Sequence, residues 1–374
     1  MNPLAHGGSD MSTDGFDAAL RELDLSDYPA ALFGPLPRDG SPLPRAATAA
    51  YRRLARLLHP DHAPEGRTAE ATRAFAKLTE FWSAYRDAAE GGLGLDDLTL
   101  AAKRHTYHLR RGADPLASGD IADLHGARYR DGSAWREAVL KLPRSHHDND
   151  LMNAEASALR RLRKRVPEAS RAFYPELVEQ IRHRDAASGV ERRGNVLTRL
   201  RGFHSLADVR RAYPDGVDPR DAAWMWRRLL VAVGGASRAG AVHGAVVPEH
   251  VLIHPEQHGL VLVDWCYSVT FAAEHTAPHI PAMVTHRKDL YPREVLDRAP
   301  AVPATDIHMA TRCIEHVSAG RLPRPLKAFA RGCTLPLPQR RPSDGIRLLA
   351  ELDEALERVL GPRRFRPFHM PAAT

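Results

Sequence analysis

The tripeptide His59-Pro60-Asp61 lies between two amphipathic patterns and constrains the fold of this chain more than any other short segment. Before it, apolar residues recur at i, i+3, i+4 and i+7, as in a helix that is buried on one side: Tyr51, Leu54, Ala55 and Leu58. A second helical stripe runs through about residues 68–89, at Phe75, Leu78, Trp82 and Tyr85. Pro60 ends the first helix because proline has no backbone donor and crowds the preceding turn. The sequence therefore predicts an antiparallel helical hairpin with the tripeptide at its tip.

The outer face of the first predicted helix is basic, since it carries Arg52, Arg53 and Arg56. With this face, the two apolar stripes and the HPD tripeptide, residues 26–92 resemble the J-domain of DnaJ-type co-chaperones. The resemblance implies that His59, Pro60 and Asp61, together with the three arginines, bind a DnaK-type ATPase chaperone and stimulate its ATP hydrolysis. Such a domain performs no chemistry of its own.

Length and composition bound the remaining classes of protein. The chain has 374 residues, which favours two or three domains, and it lacks a run of about 18 apolar residues that would span a membrane. Its three cysteines are too scattered for a disulfide framework, so a cytoplasmic setting is expected. The net charge of +7 comes largely from arginine, in an Ala-, Arg- and Pro-rich composition typical of a high-GC bacterial genome. Since no recognition motif accompanies the charge, a nucleic-acid-binding adaptor is a less favoured hypothesis.

Changes of pattern divide the rest of the chain. Three segments are predicted to lie outside the domains: a disordered leader (1–25), a linker (93–104) and a C-terminal tail (363–374). Residues 105–362 pass from short strand-like segments to long helical patterns. This change indicates an α+β domain with two lobes, 105–200 and 201–362.

Five features of residues 105–362 follow one another in a specific order. They are a turn with Gly119, a predicted strand with Lys141, a predicted helix with Glu155, a loop that starts at His243, and Asp264 after a predicted hairpin. This order resembles the signature set of the protein-kinase superfamily: glycine-rich loop, strand lysine, helix glutamate, catalytic loop and metal-binding aspartate. The predicted architecture is therefore multidomain, an all-α J-domain hairpin followed by a two-lobed α+β protein-kinase-like fold.

The kinase resemblance implies a cleft for ATP and Mg²⁺. By the family pattern, Lys141 orients the phosphates, Glu155 holds that lysine, and Gly119 lies in the loop over the nucleotide. Asp264 is the expected magnesium ligand, since hard cations prefer oxygen. Further along the chain, three residues resemble large-lobe positions of the family: Glu294, Asp306 and Arg341.

The catalytic loop departs from the family pattern at the positions that perform chemistry. Ala245 replaces the aspartate that accepts the substrate's proton, and His250 replaces the asparagine that holds a second magnesium ion. A positioned general base contributes on the order of 10²–10⁴-fold in rate. The sequence therefore predicts no catalytic residues and a catalytically impaired, pseudokinase domain.

The predicted function is that of a J-domain co-chaperone-like protein that recruits a DnaK-type ATPase. Its kinase-like domain would serve an unknown client as a nucleotide-binding or scaffolding module. The alternative from the enzyme class is an atypical phosphotransferase that uses Lys141 and Asp264. A zinc site is less favoured, because zinc needs three or four converging ligands. Its candidate ligands are His243, His250, His254 and His258.

Overall fold

The computed structural model describes residues 11–26, 29–35, 43–64, 66–90, 97–110, 115–184, 190–271 and 278–371. The chain divides into two compact units, each with its own hydrophobic core. The first comprises Met1–Leu100, Tyr107–Ala113 and Arg130–Arg136, and the second comprises Ala101–Thr106, Asp114–Tyr129 and Glu137–Thr374. None of the helices within the described ranges is long and apolar enough to cross a membrane.

Within the described ranges, the first unit contains four helices and most of two strands: α1 (Met11–Asp24), α2 (Pro29–Phe33), α3 (Arg45–Leu58), α4 (Thr68–Glu90), β1 (Asp97–Ala101) and β2 (Thr106–Arg110). A short 3₁₀ turn, Pro60–His62, separates α3 from α4. Tyr51 of α3 stacks on Trp82 of α4, with 4.6 Å between ring centroids, while His59 contacts Phe75 near the start of α4. Because Tyr51 meets Trp82 while the later residue His59 meets the earlier residue Phe75, the two helices run antiparallel.

The prediction of a disordered leader at residues 1–25 is wrong for the part that the structure describes. Residues Met11–Asp24 form α1, and its apolar side is buried in the core of the first unit: Phe16, Ala19 and Leu23. The i, i+3, i+7 spacing of these residues is that of an amphipathic helix. Packing supplies the stability that so short a helix lacks in isolation. Residues 1–10 lie outside the described residues.

The predicted linker at residues 93–104 is also wrong in part. Residues Asp97–Ala101 form β1, which neighbours β2 in the sheet. The segment DLTLA alternates polar and apolar residues with the period of a strand. Residues 91–96, which include the end of the predicted J-domain, lie outside the described residues.

The second unit begins with a sheet and one long helix: β3 (Ala117–Ser118), β4 (Ala122–Asp131), β5 (Ala134–Pro143), α5 (Asn149–Arg165), β6 (Leu177–Arg184) and β7 (Glu191–Thr198). The strand order is β4-β5-β7-β6, and β3 pairs with β4. In the antiparallel register of β5 and β7, Lys141 stands opposite Asn195. The helix α5 packs on β7, and Glu155 belongs to its buried face.

The rest of the second unit is mainly helical, with short strands between the helices. Its helices are α6 (Leu206–Ala212), α7 (Pro219–Arg238), α8 (Arg293–Leu296), α9 (Pro303–Ser318), α10 (Arg324–Cys333) and α11 (Gly345–Leu360). Its strands are β8 (His204–Ser205), β9 (Ala241–Val242), β10 (Val251–His254), β11 (Gly259–Leu262) and β12 (Val269–Thr270). The helices α7 and α11 touch at two glycines, since a Cβ on Gly345 would meet Gly234 Cα at 2.9 Å. Only glycine permits so close an approach.

The segment predicted as a free C-terminal tail, 363–374, packs on the second unit as far as the structure describes it. The side chain of Phe368 is 4% exposed. Arg366 forms an ion pair with Asp221, and the Tyr213 hydroxyl donates to the backbone carbonyl of His369. The basic run Arg363–Arg366 favoured the prediction of a tail, although the apolar residue Phe368 follows it by two positions. Residues 372–374 lie outside the described residues.

A buried ion pair fixes α8 to the loop before α11. The Arg341 guanidinium donates to both oxygens of Glu294, at 2.6 and 3.0 Å, and both side chains are buried. Arg341 also donates to the backbone carbonyls of Leu335 and Pro336. The structure thus brings together two of the three large-lobe residues that the sequence singles out.

Removal of this carboxylate by Glu294→Ala is expected to lower the free energy of unfolding of the second unit by about 3–5 kcal/mol. The substitution leaves the Arg341 charge buried with no counter-charge. Urea denaturation followed by tryptophan fluorescence measures the change. The matched control is Glu351→Ala, which breaks an exposed ion pair with Arg347 and should change stability by about 0.5 kcal/mol or less. Equal effects of the two substitutions would contradict the assignment.

Candidate functional site

A network of buried charged side chains joins the sheet of the second unit to its helical part. Its centre is Lys141 on β5, which is 3% exposed. The ammonium Nζ lies 2.7 Å from Asp264 Oδ1, 3.0 Å from Glu155 Oε1 and 3.1 Å from Cys266 Sγ. Burial lowers the pKa of Lys141, but Asp264, Cys266 and Glu155 raise it by more, so the pKa lies well above its ordinary value. The lysine is therefore a permanent cation.

Glu155 is held from two sides by the protein itself. Its Oε1 accepts from Lys141 and, at 3.2 Å, from the backbone N–H of Trp265, and its Oε2 accepts from Asn195 Nδ2 at 2.8 Å. Asn195 is fully buried and also donates to the Met152 carbonyl. Sequence reasoning missed Asn195, although a polar residue within the apolar strand segment GNVL is a detectable signal.

Asp264 follows β11 with its backbone in the left-handed region, at φ 64° and ψ 64°. Such a conformation is uncommon for a residue other than glycine and persists where the surrounding contacts enforce it. Here Oδ1 contacts Lys141, and Oδ2 lies 3.2 Å from His250 Nε2. Burial raises the pKa of Asp264, but Lys141 and His250 lower it by more, so it lies well below its ordinary value. The carboxylate is therefore ionised.

The contacts of His250 define its protonation state. Its Nδ1 lies 2.8 Å from the carbonyl oxygen of Ala245. A carbonyl oxygen only accepts, so Nδ1 carries a proton. Its Nε2 faces the ionised Asp264, which also only accepts, so Nε2 carries a second proton. Burial lowers the pKa of His250, but Asp264 raises it by more. His250 is thus an imidazolium, a second side-chain cation against Asp264.

The loop that contains Ala245 is held by Asp306 on α9. One Asp306 oxygen accepts from the backbone N–H of His243 at 2.7 Å and the other from that of Gly244 at 2.9 Å. Burial raises the pKa of Asp306 to about 6, against the effect of these two hydrogen bonds. The side chain of Ala245 is buried and apolar where the family pattern has a carboxylate.

His243 is held in the opposite protonation state to His250. Its Nε2 donates to the Val263 carbonyl at 2.9 Å, and its Nδ1 accepts from the backbone N–H of Ala245 at 3.2 Å. Burial lowers the pKa of His243 to about 3. The ring is therefore neutral, with a single proton on Nε2.

This arrangement does not fit the predicted magnesium ion. Both oxygens of Asp264 already contact side-chain cations. Among the described residues, one group has three ligand atoms within 4.8 Å of one another, namely Glu155, Asp264 and Cys266, and all three contact the Lys141 ammonium. Those three acceptors match the three N–H donors of the ammonium. The histidines His254 and His258 of the zinc alternative do not belong to this group.

The turn with Gly119, which the resemblance places over the nucleotide, carries an acidic residue. The Gly119 N–H donates to the Ala122 carbonyl at 2.9 Å and closes a tight turn between β3 and β4. The next residue, Asp120, has Oδ1 3.6 Å from His286 Nδ1, and His286 Nε2 lies 3.7 Å from Glu249 Oε1. A carboxylate at this turn repels phosphate, so the local charge opposes the family role expected of the turn.

Glu249, in the loop that begins at His243, is also bound to the segment before α8. Its carboxylate accepts from Arg287 Nε at 3.0 and 3.1 Å. The guanidinium of Arg287 thereby pairs with the carboxylate that Glu249 contributes to this loop. Sequence reasoning missed the pair, because the two residues are far apart in the chain and no pattern connects them.

In the first unit, the HPD tripeptide occupies an exposed turn. The side chains of His59 and Asp61 are 40% and 82% exposed, and His59 Nδ1 accepts from the Asp61 backbone N–H at 3.2 Å. Of the predicted docking arginines, Arg53 donates to both oxygens of Glu22 on α1, at 2.6 and 2.8 Å. Arg52 and Arg56 are exposed and have no ion-pair partner among the residues that the structure describes.

No protein-family model matches the sequence, and no curated protein matches it. Among solved structures, the chain is similar to the crystal structure of the BubR1 kinase domain, with a TM-score of 0.53 at 14% sequence identity. The likeness covers 70% of this chain and 83% of that chain. At this identity, the likeness shows the fold alone. The kinase-like fold of the predicted architecture is thus confirmed, whereas the J-domain stays a prediction.

The two buried histidines are expected to differ in protonation at pH 6. Ring ¹⁵N spectra should show His243 with one protonated nitrogen and His250 with two, and His243→Gln and His250→Gln assign the signals. Because the pKa of His250 is raised and that of His243 is about 3, both states should persist from pH 5 up to pH 6.5. A neutral His250 ring in that range would contradict the proposed ion pair with Asp264.

Proposed function

We propose that the chain is a co-chaperone-like protein whose first unit recruits a DnaK-type ATPase. In this proposal, the kinase-like domain holds a client protein as a scaffold and transfers no phosphate. The observation that carries the proposal is the HPD tripeptide in an exposed turn between two packed antiparallel helices. The carboxylate of Asp61 projects into solvent there and can meet a partner without any rearrangement.

The charges around the turn support recruitment of an acidic partner surface. Arg52 and Arg56 lie on α3, the helix that ends at the turn, and both side chains are exposed there. Complementary charge at an interface speeds encounter and sets orientation more than it adds affinity. A basic helix face beside a fixed turn therefore suits a transient, ATP-dependent partner.

The buried network supports scaffolding over phosphate transfer in the kinase-like domain. Phosphoryl transfer depends on positioned metal ions, a lysine on the phosphates and an oriented nucleophile. Here Lys141 donates to Glu155, Asp264 and Cys266, and Ala245 offers a methyl group at the position of the base. A network that satisfies its own charges keeps the domain rigid, which suits a platform for a protein client.

The HPD turn is tested by stimulation of DnaK ATPase in single-turnover assays. Wild-type protein is expected to accelerate hydrolysis, and His59→Gln and Asp61→Asn are expected to abolish the acceleration. The Asp61 side chain is largely exposed, so its effect cannot come from misfolding. His62→Gln alters an exposed histidine next to the triad and should leave stimulation intact.

Equal stimulation by wild type and Asp61→Asn would refute the co-chaperone role. The same assay tests the enzymatic alternative. Without DnaK, the chain is expected to release no labelled γ-phosphate from ATP. Release that disappears in both Lys141→Ala and Asp264→Asn would instead support the atypical phosphotransferase.

The three arginines are expected to contribute unequally to recruitment. Arg52→Ala and Arg56→Ala should each raise the concentration needed for half-maximal stimulation by roughly threefold to tenfold, the equivalent of about 1 kcal/mol of electrostatic contact. Arg53→Ala should have a smaller effect, because Glu22 already neutralises this arginine. A larger effect of Arg53→Ala than of the other two would show that the partner displaces Glu22.

A further inference from the structure

The ion network of the kinase-like domain has the layout of a metal site but is filled by side chains. The carboxylate that the family pattern gives to a metal, Asp264, faces one cation at each oxygen: Lys141 at 2.7 Å and His250 at 3.2 Å. Glu155 and Cys266, which complete a ligand group with Asp264, also converge on the Lys141 ammonium. One side-chain nitrogen thus stands among ligand atoms that a metal ion would need.

The ring of His250 lies beside Asp264 at the position where the family pattern has an asparagine. Its Nδ1 is fixed by the Ala245 carbonyl at 2.8 Å, so Nε2 is held toward Asp264. Tyr267, which is 1% exposed, lies against the ring with centroids 5.9 Å apart and planes 25° apart. An asparagine here would offer an amide oxygen, which magnesium accepts, whereas an imidazole suits softer metals.

The charges of the network are already balanced. Two carboxylates, Asp264 and Glu155, face two cations, Lys141 and His250. A divalent ion beside Asp264 would be repelled by both cations, or would have to displace one of them from a buried position. Displacement would leave an unpaired charge in the interior, which is strongly unfavourable.

We infer that the Lys141 ammonium and the His250 ring, one at each oxygen of Asp264, hold the network of the kinase-like domain closed without a divalent metal. His250 is then a positioning residue that does for Asp264 what a metal ion does elsewhere. This inference is independent of the co-chaperone role, since it concerns the second unit alone.

The test is Mn²⁺ binding to the full-length protein, measured by electron paramagnetic resonance, with thermal denaturation in MgCl₂ as a second readout. Wild-type protein should show no Mn²⁺ site that depends on Asp264 and no rise in melting temperature with Mg²⁺. His250→Asn opens Oδ2 of Asp264 and adds an amide oxygen. It is expected to bind Mn²⁺ roughly 10-fold or more tightly than wild type, and a further Asp264→Asn should abolish the gain.

The matched control is His254→Asn, which replaces a histidine of β10 outside the network and should behave like wild type. Saturable Mn²⁺ binding by wild type that Asp264→Asn removes would overturn the inference. A His250→Asn protein that is folded by circular dichroism and gains no metal binding would overturn it as well. If His250→Asn does not fold, His250→Gln, which also supplies an amide oxygen, replaces it, and the comparison of wild type with Asp264→Asn still decides.

Discussion

The ion pair between Lys141 and Asp264 is the interaction on which the second unit depends most. It connects β5 to the segment after β11, over a separation of 123 residues in the chain. Its burial is costly, because two charges leave water, and the cost is offset only when every remaining donor and acceptor is used. Glu155, Cys266 and His250 supply those contacts. One requirement therefore determines the positions of α5 and of the loop after β11: each buried charge must face an opposite charge or a hydrogen-bond partner.

The same requirement supports the proposal that this domain transfers no phosphate. Lys141 contacts Glu155, Asp264 and Cys266, and His250 contacts the second oxygen of Asp264, so side chains face both oxygens of the carboxylate. Ala245 fits this interpretation, since a carboxylate at that position would add a charge that the network does not balance.

Much of the second unit could be predicted from the order of its motifs. Lys141, Glu155 and Asp264 were expected to converge, and they do, since strand, helix and hairpin patterns place each one locally. The role of His250 could not be predicted, because its effect depends on a partner fourteen residues later that packing brings to its side. The contact of Asn195 with this network could not be predicted for the same reason. The residue lies opposite Lys141 only through the register of β5 and β7.

The packed C-terminal segment changes which piece of the chain forms a complete folded body. Phe368 covers Trp224, and Phe365 lies 4.6 Å from the ring of His258, which itself stacks on Trp224. A fragment cut after residue 362, where the kinase-like motifs end, would uncover this aromatic stack and present an adhesive apolar surface. Soluble expression of the isolated second unit is therefore expected to need the segment through Met370, which packs against the core of that unit, although the segment carries no recognisable kinase motif.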